Sequence, residues 1–218
     1  MSNESLYKKS YFARLREFNG LVPKAFQAFV HFDKQALNEG KLTTKLKELI
    51  AVAVAHVTGC PYCIEVHVKQ SKIQESSKEE IGEAIMIATA LKAGSALAHG
   101  VNALNAFDQV EDEELYKRSY FNRLKEFSQL NGDTFQAFIE FDKQSMKQGL
   151  LGVKEKELIA LAVAHTTGCP YCINVHIKGA KRAKASKEEV AEAIIVAAAL
   201  KAGSALAHGV NALNAFDE

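Results

Sequence analysis

All four cysteines of this 218-residue chain fall in two short motifs of the same make-up. Cys60-Pro61-Tyr62-Cys63 is preceded by Glu48 and followed by His67, and Cys169-Pro170-Tyr171-Cys172 is preceded by Glu157 and followed by His176. In both, the glutamate stands twelve residues before the first cysteine and the histidine four after the second. Only the thiolate form of cysteine is a good nucleophile, so paired thiols with a base beside them make a candidate redox centre. A helix starting at the first cysteine would favour thiolate there through its unpaired N–H groups and dipole, and the CxxC spacing puts both sulfurs within disulfide range. Cys63 and His67 then share one helix face, whereas His67 lies roughly 10 Å along the axis from Cys60. Glu48 precedes the turn at Thr58-Gly59, and in an antiparallel helical hairpin it would stand opposite His67, orienting the imidazole and fixing its tautomer. The helix terminus favours Cys60 as the attacking thiol and the adjacent base favours Cys63. The residues leave both open, although a base that only Cys63 can reach tilts the choice that way.

The elements that must position these groups repeat as well. Residues 7–109 align without gaps on residues 116–218, with the acidic stretch 110–115 as the joint, so two homologous repeats are expected, each with its own complete site. Each repeat reads as helices throughout. Phe26, Phe29, Val30 and Leu37 fall at helical spacing, with Gly40 expected to close that helix. Thr44 to Val57 is a second helix whose AVAVAHV half is apolar all round and therefore buried. Gly59 ends it, and Pro61 suits the first turn of the next helix. Ser77 to Glu80 has the pattern of a capping box opening a long alanine-rich helix, in which Gly94 and Gly100 are expected bends that also permit close helix approach. Strand-like alternation is absent. An all-α protein follows.

Composition narrows the function. With 27 basic and 26 acidic residues intermingled, no one-signed face is available, and neither nucleic acid nor an anionic membrane is expected as a partner. The first ten residues lack a signal-like apolar segment, and contiguous apolar runs such as Leu49 to Val57 are too short to span a bilayer. A soluble cytoplasmic protein is expected, in a compartment where CxxC is catalytic or metal-binding more often than a structural staple. No Gly-rich phosphate cradle occurs, so no organic cofactor is expected. Zinc is the rival for the cysteines, held either by Cys60, Cys63 and His67 with His56 or His99, or by all four thiolates. His67 is too far from Cys60 to share one tetrahedral ion easily, and an all-thiolate site leaves both Glu–His pairs idle, so no metal is expected. His56 and His165 either border the site or satisfy a helix end. His99 and His208 either face the pocket or serve helix packing, and His31, whose counterpart is Glu140, is expected at the surface. Tyr62 and Tyr171 are expected to pack over the disulfides.

The pattern Glu-x11-Cys-x2-Cys-x3-His, in register twice, resembles the core of the alkylhydroperoxidase AhpD and its carboxymuconolactone-decarboxylase-like relatives. The resemblance implies an all-helical, oligomeric peroxidase driven by the CxxC couple. It implies that Cys63 and Cys172 attack peroxide and that Cys60 and Cys169 resolve the product. His67 and His176 would act as bases oriented by Glu48 and Glu157. It also implies a hydroperoxide substrate and an external dithiol or protein reductant. Single-repeat relatives are commonly hexameric, which implies a homo-oligomer, a trimer of two-repeat chains. AhpD itself carries a histidine between its cysteines where this chain has Tyr62 and Tyr171, and true carboxymuconolactone decarboxylases lack the CxxC, so decarboxylation is not implied. A thiol–disulfide oxidoreductase without peroxide chemistry, or a non-enzymatic zinc scaffold, would use the same cysteines.

Overall fold

The computed structural model describes residues 5–217, and every regular element among them is helical. A 3-10 segment (Lys9–Glu17) leads into the short α1 (Phe18–Leu21), then α2 (Pro23–Leu37), α3 (Thr44–Thr58), α4 (Pro61–Ile73) and the long α5 (Lys78–Phe107). The second repeat follows the same order: a 3-10 segment (Arg118–Glu126), α6 (Phe127–Leu130), α7 (Gly132–Met146), α8 (Val153–Thr167), α9 (Pro170–Arg182) and α10 (Lys187–Phe216). The fold is all-α, as expected, in two similar bundles.

Local chemistry sets the helix ends. Ser77 with Glu80, and Ser186 with Glu189, form reciprocal capping boxes that open α5 and α10. Thr43 caps α3 by accepting the Leu46 N–H at 3.2 Å. Gly59 ends α3 at φ 70°, a left-handed conformation that costs glycine little. Gly40, expected to cap α2, does something else. The helix stops at Leu37 with Asn38 extended, and Gly40 instead makes room for Glu192 of the other repeat, whose carboxylate would lie 2.5 Å from an added Cβ. The close approach expected at Gly94 and Gly100 is present. α5 runs uninterrupted through both, and an added Cβ on Gly100 would lie 2.9 Å from the Phe127 ring.

Those contacts join the repeats. α5 packs on α7, α8, α9 and the Arg118–Glu126 segment, while α10 packs on α2, α3, α4 and the Lys9–Glu17 segment. α3 and α8 meet at the centre, so that Leu49, Ile50 and Ile87 share one core with Leu158, Ile159 and Leu200. The apolar α3 and α8 are therefore buried by the other repeat within one chain. Their apolar composition, from which burial was expected, finds its explanation inside the molecule. By length and composition alone α5 and α10 could cross a membrane, with 18-residue windows of mean hydropathy 1.3 and 1.7. Counting contiguous apolar runs misses this, because Lys, Ser and His interrupt their alanine-rich sequence. Here both serve as packing helices of the bundles.

Two ion pairs lock the arrangement. Lys47 and Lys156 are each only 3% exposed. Lys47 Nζ lies 3.0 Å from Glu192 and donates to the Asn38 carbonyl at 2.6 Å; Lys156 Nζ lies 3.0 Å from Glu83 and donates to the Lys147 carbonyl at 2.6 Å. Glu192 also accepts the Lys41 and Leu42 N–H groups, and Glu83 those of Leu150 and Leu151. Each long helix is thereby tied to the loop and central helix of the opposite repeat.

Candidate active site

α3 and α4 pack against each other across the turn at Gly59, and this brings the separated acid and base together. Glu48 Oε2 lies 2.9 Å from His67 Nδ1, and Glu157 Oε2 lies 2.9 Å from His176 Nδ1. A carboxylate can only accept, so Nδ1 carries the hydrogen and Nε2 is left free for the thiol one turn earlier on the same helix. Glu48 and His67 are both buried, which strengthens the bond between them. The expected hairpin pairing is present in both repeats.

The cysteines sit at the start of α4 and α9, with Pro61 and Pro170 in the first turn. Cys60 and Cys169 are the N-cap residues, and their sulfurs accept the N–H groups of Cys63 and Cys172 at 3.1 Å. Each pair is joined as a disulfide across a Cα separation of 5.3 Å. Cys60 and Cys169 are 0% exposed, while Cys63 and Cys172 keep 7%. Of each pair, Cys63 and Cys172 are the more exposed residues.

Around the first pair, Tyr62 and Ala55 pack with Tyr11 and Phe12 and with Ala207 of α10. Around the second, Tyr171 and Ala164 pack with Tyr120 and Phe121 and with Ala98 of α5. The reacting side chains of each site come from one repeat, but part of its wall comes from the other. Each repeat thus carries its own complete set of reacting residues, and what the other repeat adds is wall. Sequence could not show it, because the exchange depends on where the long helices cross. The two cysteine pairs occupy separate clusters, so the four sulfurs do not converge. Among the described residues no group of three or more His, Cys, Asp or Glu side chains is placed to hold a metal ion.

Tyr62 stacks on Phe12 at 5.2 Å between ring centroids, and Tyr171 stacks on Phe121 at the same distance, which is the expected packing role. Burial holds both phenols above their ordinary value. His56 Nδ1 donates to the Val52 carbonyl at 2.7 Å and His165 Nδ1 to that of Leu161 at 2.8 Å, so these rings satisfy their own helices. His31 is exposed. His208 and His99 cross between the repeats. His208 Nδ1 lies 3.2 Å from the Tyr7 hydroxyl, and the Tyr7 ring packs on Tyr62 at 5.7 Å; His99 Nδ1 lies 3.1 Å from the Tyr116 hydroxyl, and Tyr116 packs on Tyr171 at 5.6 Å. Each of these histidines thus stands beside the opposite repeat's cassette.

Sequence reading missed Asp33 and Asp142. Asp33 belongs to the inward stripe of α2, with Phe26, Phe29 and Ala36, and is half-buried. Its carboxyl is raised above the ordinary range, chiefly by burial and also by the charge of Glu48, against an opposing effect of His67. Asp142 repeats this in the second repeat, raised by burial and by the charge of Glu157 against the effect of His176. A signal was present: an acid at a core-facing helical position, recurring in register.

With this geometry in place, the comparisons agree with it. The model of the carboxymuconolactone decarboxylase family matches residues 23–106 and again 132–215. An uncharacterized protein of the cox locus of Paracoccus denitrificans is 45% identical over 95 residues, which are 44% of this chain and 86% of that protein. An uncharacterized protein of Cupriavidus necator is 33% identical over 96 residues, 43% of this chain and 85% of that one. Both relatives therefore have about the length of one repeat. In the solved structures, a chain from Burkholderia xenovorans assigned as a gamma-carboxymuconolactone decarboxylase subunit superposes with a TM-score of 0.68 at 22% identity, over 95% of this chain and 94% of that one. That likeness speaks for the fold alone. Two family matches, one on each helical bundle, establish that the chain belongs to the carboxymuconolactone decarboxylase family, with the family unit present twice.

Proposed function

We propose that the protein is a peroxidase that reduces hydroperoxides through its two CxxC couples. The observation that carries this reading is the 2.9 Å Glu–His bond beside a redox-capable cysteine pair, present in both repeats and buried in the first. In the reduced protein the proton of Cys63 passes to His67 Nε2, while Glu48 holds Nδ1–H and stabilises the imidazolium. The thiolate attacks the terminal oxygen of R–O–OH. The O–O bond breaks, Cys63 becomes the sulfenic acid, and the departing alkoxide takes the proton from His67 to leave as ROH. The Cys60 thiol then attacks that sulfur, forming the disulfide and releasing water. An external dithiol returns two electrons and two protons by exchange. Exposure favours its entry at Cys63, which expels Cys60 as a thiolate held by the Cys63 N–H and the start of α4. Cys172, Cys169, His176 and Glu157 take the same parts in the second repeat. The narrow access to Cys63 also favours a small reductant or an extended dithiol arm over a folded disulfide substrate.

The test is steady-state oxidation of a small dithiol, run with hydrogen peroxide and with an alkyl hydroperoxide. Turnover that requires both substrates and saturates with each is expected. Dithiol-dependent exchange with no consumption of either peroxide would replace this reading by the oxidoreductase one.

We further propose a reducing cytoplasmic setting and a trimer of two-repeat chains. The trimer draws support from apolar residues left exposed on α1, α2, α6 and α7, among them Leu21, Phe32, Leu130 and Ile139. Light scattering coupled to size exclusion should give three times the chain mass; a monomer would contradict the assembly.

A further inference from the structure

An open cleft of about 500 Å³ lies at the C-terminal ends of α3 and α8, on the seam between the repeats. Lys92 reaches it from α5, and Lys201, Ser204 and His208 from α10, beside Thr58 and Thr167 of the two helix ends. No carboxylate is among the described residues that line it. Ser204 is only 3% exposed, yet its hydroxyl has no hydrogen-bond partner among the described residues. A buried hydroxyl left unpaired costs stability, so one placed on a cleft wall calls for a partner that arrives from outside. Lys201, one turn before Ser204, and His208, one turn after it, share that face of α10. Lys201 has no ion pair or hydrogen bond among the described residues, whereas Lys92 is anchored by donating to the Val57 carbonyl at 3.2 Å. The Tyr7 hydroxyl lies 3.2 Å from His208 Nδ1, and when it donates there the ring presents Nε2–H as a further donor.

Charge decides what such a cleft would take. The carbonyl ends of α3 and α8 oppose an anion, each with roughly half a negative charge. Two ammonium groups outweigh them and leave an excess of about one positive charge. The volume exceeds that of a bare inorganic ion, and Val57 offers apolar contact to an organic body. We propose that this cleft binds a small organic monoanion through its carboxylate, with the Lys201 ammonium and the Ser204 hydroxyl as donors and Lys92 as the second charge. The inference stands apart from the peroxidase reading, in which neither lysine nor Ser204 takes part. Thr58 and Thr167 each stand two residues before the first cysteine of a pair, so a ligand held there lies beside the turns that carry both redox couples.

The experiment is calorimetric titration of the full-length protein with benzoate, and with benzamide as its uncharged counterpart of the same shape. One benzoate site per chain is expected, with benzamide at least about fivefold weaker. Ser204→Ala should weaken benzoate by roughly three- to tenfold, and Lys92→Gln combined with Lys201→Gln by roughly tenfold. The control is Ser95→Ala. Ser95 is the counterpart of Ser204 on α5, is buried to the same degree at 4% exposed, and is not among the residues lining the cleft, so its loss should leave binding unchanged. Absence of saturable benzoate binding overturns the proposal, and so does benzamide binding as tightly as benzoate. An affinity that Ser204→Ala and the lysine pair leave in place overturns it as well, as does a loss equally large in Ser95→Ala, which would report a general change in packing.

Discussion

Replacing Cys63 and Cys172 together by serine should abolish hydroperoxide-dependent oxidation of a dithiol, with a fall of at least about a thousandfold in kcat/KM. A serine hydroxyl is not ionised by a neighbouring imidazole near neutral pH to any useful extent, and it cannot be oxidised to a sulfenic acid or joined in a disulfide. The single variants carry more information. The two sites are built alike, from the 2.9 Å Glu–His bond to the 5.3 Å Cα separation, so Cys63→Ser alone and Cys172→Ser alone should each leave about half of the wild-type rate. Cys60→Ser should behave differently, because the attacking thiol remains and only the resolving one is gone. A single oxidation at Cys63 is expected, followed by a stall at that site. Steady-state assays of the four variants check this, and a Cys63→Ser, Cys172→Ser protein that still turns over peroxide would remove the assigned roles.

The largest effect on stability should come from the cross-repeat ion pairs. Glu192→Ala leaves Lys47 almost wholly buried with, among the described residues, only the Asn38 carbonyl for company, and it strips the acceptor from the Lys41 and Leu42 N–H groups. Removing one partner of a buried pair costs about 3–5 kcal/mol, and the partial exposure of Glu192 argues for the lower end, about 3 kcal/mol. Urea unfolding measures it. Replacing both partners, as Lys47→Met with Glu192→Leu, should recover most of the loss. The same pairs give the stability a pH dependence of defined sign. Burial alone would raise the carboxyls of Glu192 and Glu83, but the backbone N–H groups of the facing loop and the lysine outweigh it and hold both below the ordinary value of 4.5. Their contribution is therefore complete above that value and is lost as pH falls through the depressed ones. The thermal midpoint should drop on acidification below about pH 4.5, less steeply in the Lys47→Met, Glu192→Leu protein. A Glu192→Ala protein as stable as wild type would show that the lock does not hold the repeats together.

The sites were largely readable in the sequence because their chemistry is local. CxxC at a helix start, a base one turn on, and an acid across a short hairpin are all set by helical geometry and a glycine turn, so Glu48, Cys60, Cys63 and His67 fall where spacing puts them. What escaped depends on contacts between the repeats. Ala207 reaches Cys60 and His208 reaches Tyr7 only because α10 crosses to the first repeat, and nothing in the spacing of AHGVNAL encodes that. Gly40 misled for the same reason, whereas the close approach expected at Gly100 is present, with Phe127 of the other repeat as the neighbour. A glycine reads as a break along its own helix, but the purpose of Gly40 is the approach of Glu192 from the other repeat. Asp33 was legible in principle, as an acid on a core-facing stripe that recurs at Asp142, but its meaning required knowing which helices face that stripe.

The central claim is that an imidazole-activated thiolate at Cys63 and Cys172 takes an oxygen atom from a hydroperoxide. Trapping the oxidised sulfur tests it most directly. The reduced Cys60→Ser, Cys169→Ser protein is treated with one equivalent of hydroperoxide per site in the presence of dimedone, and its peptides are mapped by mass spectrometry. The sulfenic acid adduct is expected on Cys63 and Cys172, formed in step with peroxide loss. Thiols that remain free and unmodified while the peroxide persists would contradict the account.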